Sequence, residues 1–168
     1  MTVREILLLG NPKLHEISRP VTRDELDSMP SIIEDLHDTL MSFREKYGAG
    51  RAIAAPQIGE MKKIVYMHID QPTILINPKI YNESTEMMEL WDDCMSFPDL
   101  YVKVKRHKTC QIEYLDIDWN RKSQQLQGDL SELLQHECDH LDGILAVSRA
   151  IDGESFALSN QKHHFHPQ

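Results

Sequence analysis

The sequence His136-Glu137-Cys138-Asp139-His140, an H-E-x-x-H motif, constrains the fold more than any other feature of the chain. Residues four positions apart on an α-helix share a face, so both imidazoles can reach one metal ion with the glutamate beside it. The spacing of the surrounding leucines predicts an amphipathic helix from about Asp129 to His140, with a buried stripe formed by Leu130, Leu133, Leu134 and Leu141. This stripe argues against a chance pair of solvent-facing histidines. The fold must therefore bury a helix that carries two candidate ligands and a candidate general base.

A third ligand is required, because a catalytic zinc-type site takes three protein ligands and leaves one position for water. The candidates are Cys94, in the segment 91–98, and the carboxylates Asp139 and Asp142. A lone cysteine is more often a small buried apolar residue, and either carboxylate could cap or solvate the helix end. The residues alone leave this choice open. In such a site the ion lowers the pKa of its water to about 7, and Glu137 can take a proton from that water and pass it to a leaving amine.

The rest of the chain predicts a single domain of mixed α and β structure. Apolar residues repeat at three- and four-residue intervals from Asp24 to Lys46, which predicts a first helix. Alternating or β-branched runs predict extended segments at 63–67, 73–76, 102–104 and 110–114. Asn77-Pro78 is expected to end the second of these segments. We expect a catalytic domain over residues 1–150 and a polar C-terminal tail, containing several histidines, over residues 151–168.

Charge and cysteine content narrow the possible partners and location. The formal net charge of -9 disfavours binding to a phosphate backbone, so no nucleic-acid partner is expected. No apolar run is long enough for a membrane span or a signal peptide, so no membrane partner is expected either. The three cysteines, at positions 94, 110 and 138, are too few and too irregularly spaced for a disulfide framework. These features together predict a cytoplasmic protein.

Three segments, in order, resemble the three motifs of peptide deformylases. Residues 52–59, AIAAPQIG, resemble the G-φ-A-A-x-Q motif, and residues 92–96, DDCMS, resemble E-G-C-φ-S. Residues 135–143, QHECDHLDG, match Q-H-E-x-D-H-L-x-G throughout. The segments 9–14 and 19–21 are also similar to the start of the family. The resemblance covers roughly residues 3 to 150, and three motifs in register are very improbable by chance.

The resemblance implies an α+β fold in which antiparallel sheets pack around the metal-bearing helix. It implies that Cys94, His136 and His140 hold the metal and that Gln57, by its side chain, and Met95, by its backbone N–H, stabilise an oxyanion. The metal would be Fe²⁺, with Zn²⁺, Ni²⁺ or Co²⁺ able to substitute. The implied reaction is removal of the N-formyl group from the N-terminal methionine of newly made proteins. The implied partner is an N-formylated or N-acylated peptide, including nascent chains at the ribosome.

The chain departs from the family pattern around the substrate. Ala52 replaces a glycine, with Arg51 in place of an aliphatic residue before it, and Asp93 replaces the glycine before the cysteine. Glu132 lies one turn before the first histidine, where apolar residues are usual. Tyr101 falls where an arginine near the substrate is usual. The substrate-binding positions that we expect are Arg51, Ala52, Leu90, Asp93, Tyr101, Glu132 and Leu133.

These departures leave several functions open. Arg51 and Glu132 could simply pair or turn to solvent, with specificity little changed. Alternatively, they could mark a divergent amidase that removes another N-acyl group, for example from acyl-lysine side chains or a small polar N-formyl compound. A catalytically inactive binding module is disfavoured because the ligand positions, Glu137 and Gln57 are intact. An ordinary metalloprotease is disfavoured by Cys94 in its motif. In the second motif, Asp92 stands for the family's glutamate and is expected to pair with Arg106.

Overall fold

The computed structural model describes residues 2–165 and has an α+β architecture, as the sequence predicts. Its two α-helices are α1 (Met29–Tyr47) and α2 (Asp129–Leu141). The strands are β1 (Ala52–Ala54), β2 (Ile64–His68), β3 (Pro72–Tyr81), β4 (Met87–Asp92), β5 (Leu100–His107), β6 (Thr109–Leu115), β7 (Arg121–Gln127) and β8 (Phe156–Leu158). They form an antiparallel five-stranded sheet, in the order β1-β2-β3-β6-β7, and an antiparallel three-stranded sheet, in the order β4-β5-β8.

The helix α2 lies between the two sheets and is the central element of the fold. Leu133, Leu134 and Leu141 pack against apolar side chains of the five-stranded sheet, including Val65 and Leu75. This confirms the predicted helix and its apolar stripe. Residues outside the apolar stripe are buried too: both histidines and the glutamate of the motif are almost inaccessible to solvent. The polar face of α2 therefore belongs to an interior site.

The helix α1 packs across the five-stranded sheet at the end that carries β1. Its fully buried residues Met29, Leu36 and Leu40 belong to one core cluster with Ile53 and Tyr66. The predicted helix began earlier, but the residues before Met29 form a separate 3-10 turn. Among the described residues, no helix combines the length and the apolar character that crossing a membrane requires.

The strand β3 corrects one prediction. Asn77-Pro78 was expected to end this strand, but β3 continues to Tyr81 and pairs with β6 beyond a register shift. Asn77 has a positive φ of 49°, which asparagine tolerates better than most residues. Its side chain also bonds to the backbone of Val21, accepting from the N–H at 2.8 Å and donating to the carbonyl at 2.9 Å. These two bonds hold an irregularity within the strand at a sequence that normally ends one.

The polar C-terminal segment contributes structure that its sequence does not indicate. Within the predicted tail, β8 pairs with β5 and completes the three-stranded sheet, with Leu158 opposite Leu100. Further along, Phe165 stacks on Trp91 of β4, with ring centroids 4.3 Å apart. Residues 166–168, which include His166, lie outside the described residues. The described part of the segment is therefore packed against β4 and β5.

A buried ion-pair network joins β4 and β5 of the three-stranded sheet to α2. Arg106 on β5 is only 2% exposed and donates to Asp92 of β4 at 3.0 Å and to Asp139 of α2 at 2.5 Å. Arg149 donates two further hydrogen bonds to Asp139. The expected pairing of Asp92 with Arg106 is confirmed. Asp139, considered above as a helix-end cap or a third ligand, instead accepts from two guanidinium groups.

We predict that Arg106→Leu destabilises the fold by about 3–5 kcal/mol, because it leaves two carboxylates without their buried cation. Urea unfolding of the metal-free protein measures this change. Lys108→Met is the matched control, because Lys108 is paired with Glu86 at the surface and both side chains are about half exposed or more. The control should change the free energy of unfolding little. Equal effects of the two substitutions would contradict a structural role for the buried pair.

Candidate metal centre and substrate cleft

Three donor atoms from two distant segments converge at one point beside α2. His136 and His140 project from the same face of α2, and Cys94 lies in the turn that follows β4. The Sγ atom of Cys94 is 3.3 Å from Nε2 of His140, and the two Nε2 atoms are 3.2 Å apart. All three atoms lie within 4.8 Å of one another, and all three residues are buried. This cluster contains the third ligand candidate that the H-E-x-x-H motif requires.

The geometry of the cluster fits a single divalent cation. Ligand bonds of about 2.0–2.3 Å at tetrahedral angles place nitrogen and sulfur donors about 3.3–3.7 Å apart, close to the two distances given above. A thiolate with two imidazoles is also a donor set that Fe²⁺, Zn²⁺, Ni²⁺ and Co²⁺ accept. Two imidazole lone pairs this close repel each other unless a positive charge lies between them. A metal ion would satisfy all three donors at once.

Asp92 orients the first imidazole. Nδ1–H of His136 donates to Asp92 Oδ2 at 2.9 Å, which leaves Nε2 free to face the cluster. Burial opposes ionisation of Asp92, but the charges of His136 and Arg106 outweigh it and lower the pKa of Asp92 to about 2. Although burial lowers the pKa of His136, the charges of Asp92 and Cys94 raise it well above its ordinary value. Burial and the charge of the neighbouring His136 lower the pKa of His140 well below the ordinary value for histidine.

Glu137 lies beside the donor cluster with an oxygen available for chemistry. Its side chain is 4% exposed, and Oε2 has no hydrogen-bond partner among the described residues. Burial raises the pKa of Glu137 to about 7, while the charge of His136 opposes the rise. A carboxyl group with such a pKa can both accept and donate a proton near neutral pH.

The side chain of Gln57 is held so that its NH₂ group faces the donor cluster. Its Oε1 accepts from the backbone N–H of Ala54 at 2.9 Å, and this bond fixes the amide orientation. The NH₂ group then donates to Ser96 Oγ at 3.1 Å and contacts Cys94 Sγ at 3.6 Å. Ser96 was not among the predicted residues, although it follows Cys94 by two positions within the second motif. Next to it, Met95 is buried at the edge of the same cleft.

The N-terminal segment connects the two loops that carry these groups. The backbone N–H of Leu7 donates to the carbonyl of Gln57 at 2.8 Å, and that of Leu9 donates to the carbonyl of Ser96 at 2.8 Å. The apolar run at the start of the chain thus aligns the first motif with the second. The relative position of Gln57 and Cys94 depends on these bonds.

A cleft of about 440 Å³ opens from the donor cluster to the surface. Six of the seven predicted substrate-binding residues line it: Arg51, Ala52, Asp93, Tyr101, Glu132 and Leu133. Leu90 does not, and it packs instead in the core cluster of the three-stranded sheet. Asp93, which replaces a glycine of the family, is not among the residues with positive φ, so no left-handed backbone is needed there. The cleft also includes Phe43, Tyr47 and Ser159, which come from α1 and the C-terminal segment and which no motif indicates.

Comparison with known proteins identifies the family. Residues 3–155 match the model of the family described as polypeptide deformylase. The chain belongs to this deformylase family. Peptide deformylase 1 of Prochlorococcus marinus is 34% identical, with 96% of this chain and 88% of that protein covered. The crystal structure of the Thermotoga maritima peptide deformylase superposes with a TM-score of 0.83 at 27% identity, covering 90% of this chain and all of that one.

The crystal structure of a third relative contains a bound peptide. The Acinetobacter baumannii peptide deformylase, with Met-Ala-Ser bound, superposes with a TM-score of 0.81 at 27% identity and covers 88% of this chain and 98% of that one. Deformylases are metal-dependent amide hydrolases, and membership of the family makes this protein one. The donor cluster described above is the group of residues that offers a metal site within the described part of the chain.

We predict that Asp92→Asn lowers the affinity for a divalent metal by about 10- to 100-fold, because the first imidazole loses its charged acceptor. Competition with a chromophoric chelator measures the affinity. The control is Asp93→Asn, which changes the adjacent, exposed carboxylate and should leave the affinity within error of the wild type. Equal losses in both variants would show that overall charge, rather than orientation of His136, sets the affinity.

Proposed function

We propose that this deformylase removes the N-formyl group from peptides that begin with formyl-methionine, releasing formate and a free N-terminal amine. The observation that carries the proposal is the position of Glu137 at the base of the cleft beside three converging donors. It is a buried carboxyl, and one of its oxygens has no hydrogen-bond partner among residues 2–165. The peptide bound to the Acinetobacter baumannii relative supports a substrate of this kind.

Cys94, His136 and His140 would hold the metal. When bound, the ion supplies Lewis acidity, which makes a water molecule nucleophilic near neutral pH. Fe²⁺ is the proposed physiological ion, with Zn²⁺, Ni²⁺ or Co²⁺ as substitutes, since the mixed sulfur and nitrogen donor set accepts each of them.

The protein side chains would carry the proton transfers. Glu137 accepts a proton as water adds to the formyl carbon, and it donates that proton to the amine nitrogen as the C–N bond breaks. The NH₂ group of Gln57 and the backbone N–H of Met95 would donate to the oxygen that becomes negatively charged. Because Ala54 and Ser96 already hold the Gln57 amide, it needs no reorientation to act, and donors set in advance are typically worth about 3–4 kcal/mol each.

The cellular setting follows from the substrate. Formylated N-termini are present on chains leaving the ribosome, so nascent chains are the proposed partner and the cytoplasm is the proposed location. The free thiols of Cys94, Cys110 and Cys138 support a reducing compartment. Cys94 would need to be a thiolate to bind the metal, which oxidation would prevent.

We predict that Cys94→Ala abolishes stoichiometric metal binding, because only two imidazoles then remain. Metal content after anaerobic loading and desalting measures this. Cys138→Ala is the matched control: it removes a thiol from the same helix turn as the histidines, but Cys138 packs with the apolar side of α2. Retained stoichiometric metal in Cys94→Ala would contradict the proposed ligand set.

We predict that Glu137→Gln lowers kcat for formate release from formyl-Met-Ala-Ser by about 10²- to 10⁴-fold while metal content is unchanged, because an amide cannot relay the proton. The assay uses protein loaded anaerobically with Fe²⁺. Glu89→Gln, on the solvent-facing side of β4, should leave turnover unchanged. Near-normal turnover in Glu137→Gln would contradict the mechanism. Cleavage of acyl-lysine peptides without release from the formyl peptide would contradict the proposed substrate.

A further inference from the structure

An ion pair lies in the cleft next to the proposed metal centre. Glu132 is four positions before His136 on α2, so the two side chains share a face of the helix. Arg51, immediately before β1, reaches across the cleft and donates from one NH₂ group to Glu132 Oε1 at 2.5 Å. Ala52 and Leu133 flank the pair. Because the pair lines the same cleft as Cys94, His136 and Glu137, a peptide held with its formyl group at the metal centre would lie along this wall.

Each member of the pair keeps hydrogen-bonding capacity that no other described side chain satisfies. The bond between Arg51 and Glu132 is the one side-chain hydrogen bond that either group makes within residues 2–165. Other N–H groups of the guanidinium therefore remain as donors, and Glu132 Oε2 remains as an acceptor. Glu132 is 8% exposed, and burial raises its pKa despite the opposing effect of Arg51. An apolar side chain placed against the pair would remove its remaining water and leave these groups unpaired.

The charges around the pair disfavour an acidic side chain. The pair itself has no net charge, so it gives no attraction to a carboxylate. Asp93, Asp99 and Asp129 stand exposed at or near the cleft and would repel a carboxylate. The same aspartates would attract an ammonium group, and Arg51, with 43% of its side chain exposed, would oppose that attraction beside the buried carboxylate. A neutral group that both donates and accepts hydrogen bonds, such as a carboxamide, matches the free donors and the free acceptor.

We propose that Arg51 and Glu132 are specificity-determining residues that extend the substrate range to formyl peptides whose first side chain carries an uncharged amide. Glutamine is the test case, because its side chain has nearly the length of methionine. The inference rests on the proposed deformylase function. It differs from the simple-pairing alternative considered above, since the two residues do pair and yet remain on the wall of the cleft.

The test compares kcat/KM for formyl-Xaa-Ala-Ser peptides in which Xaa is methionine, norleucine, glutamine or glutamate. In the wild type, the glutamine peptide should react within about tenfold of the norleucine peptide, and the glutamate peptide should react more slowly than the glutamine peptide. In the double variant Arg51→Leu/Glu132→Leu, the ratio of norleucine to glutamine should rise by about tenfold or more, because the apolar pocket no longer bonds the amide. Replacing both charges keeps the pocket filled, and such replacements are often tolerated.

Two controls separate specificity from stability. The double variant Lys108→Met/Glu86→Met removes a surface ion pair away from the cleft and should leave the norleucine-to-glutamine ratio unchanged. Glu132→Gln keeps the size of the side chain and one oxygen that can accept from Arg51, so it should stay closer to the wild-type ratio than the leucine double variant. Competitive inhibition of the wild-type enzyme by the products Met-Ala-Ser and Gln-Ala-Ser gives the same comparison without a variant, with inhibition constants expected within about tenfold of each other.

The outcomes distinguish failure of the inference from failure of the proposed function. Release of formate from the methionine peptide, with a norleucine-to-glutamine ratio that the leucine double variant does not change, would overturn the inference alone. Faster reaction of the glutamate peptide than of the glutamine peptide would also overturn it. Failure to release formate from every formyl peptide would overturn the proposed function, and the inference would fall with it.

Discussion

The guanidinium group of Arg106, buried between Asp92 and Asp139, joins the parts of the molecule on which the metal site depends. It connects β5 to β4 through one carboxylate and to α2 through the other. The first carboxylate also holds the imidazole of His136, so a single charged network sets both the packing of α2 and the direction of one ligand. Buried charges are costly unless they are paired and hydrogen-bonded. The network therefore tolerates little displacement of the helix relative to the sheet, and this rigidity is what a preorganised site requires.

The cleft combines a deeply buried chemical centre with a more exposed wall. The donors, the carboxyl of Glu137 and the amide of Gln57 all lie at the base, where burial is nearly complete. One helical turn away, Glu132 and Arg51 line the wall of the cleft that we propose selects the side chain of the substrate. Because α2 carries both regions, four positions separate His136, a proposed metal ligand, from Glu132, a proposed substrate contact. Substrate choice can thus change by substitution on the wall while the geometry of the donors is preserved.

Features that nearby residues determine could be predicted from the sequence, whereas features that depend on distant residues could not. The 3.6-residue period around His136 and His140 was sufficient to predict α2 and its buried stripe, because helical spacing determines both. The spacing could not decide between Cys94 and Asp139 as the third ligand candidate. Asp139 accepts hydrogen bonds from Arg106 and Arg149, which lie elsewhere in the chain. Asn77-Pro78 suggested the end of a strand, but bonds from Asn77 to Val21, 56 positions away, keep β3 continuous. The strand β8 was missed because its polar surroundings indicate no strand, and only pairing with β5 reveals it.

The separation of the donors along the chain links the stability of the protein in the cell to metal binding. Cys94 and His140 lie 46 positions apart and meet only after β4, the turn that follows it and α2 have assembled. An ion that binds the folded chain and not the unfolded one adds to stability by mass action, by about 2.7 kcal/mol when its free concentration is a hundred times its Kd. When metal is scarce, a larger share of newly made chains therefore unfolds and becomes available to proteases. The abundance of the enzyme, as well as its turnover, would then follow the metal supply of the cell.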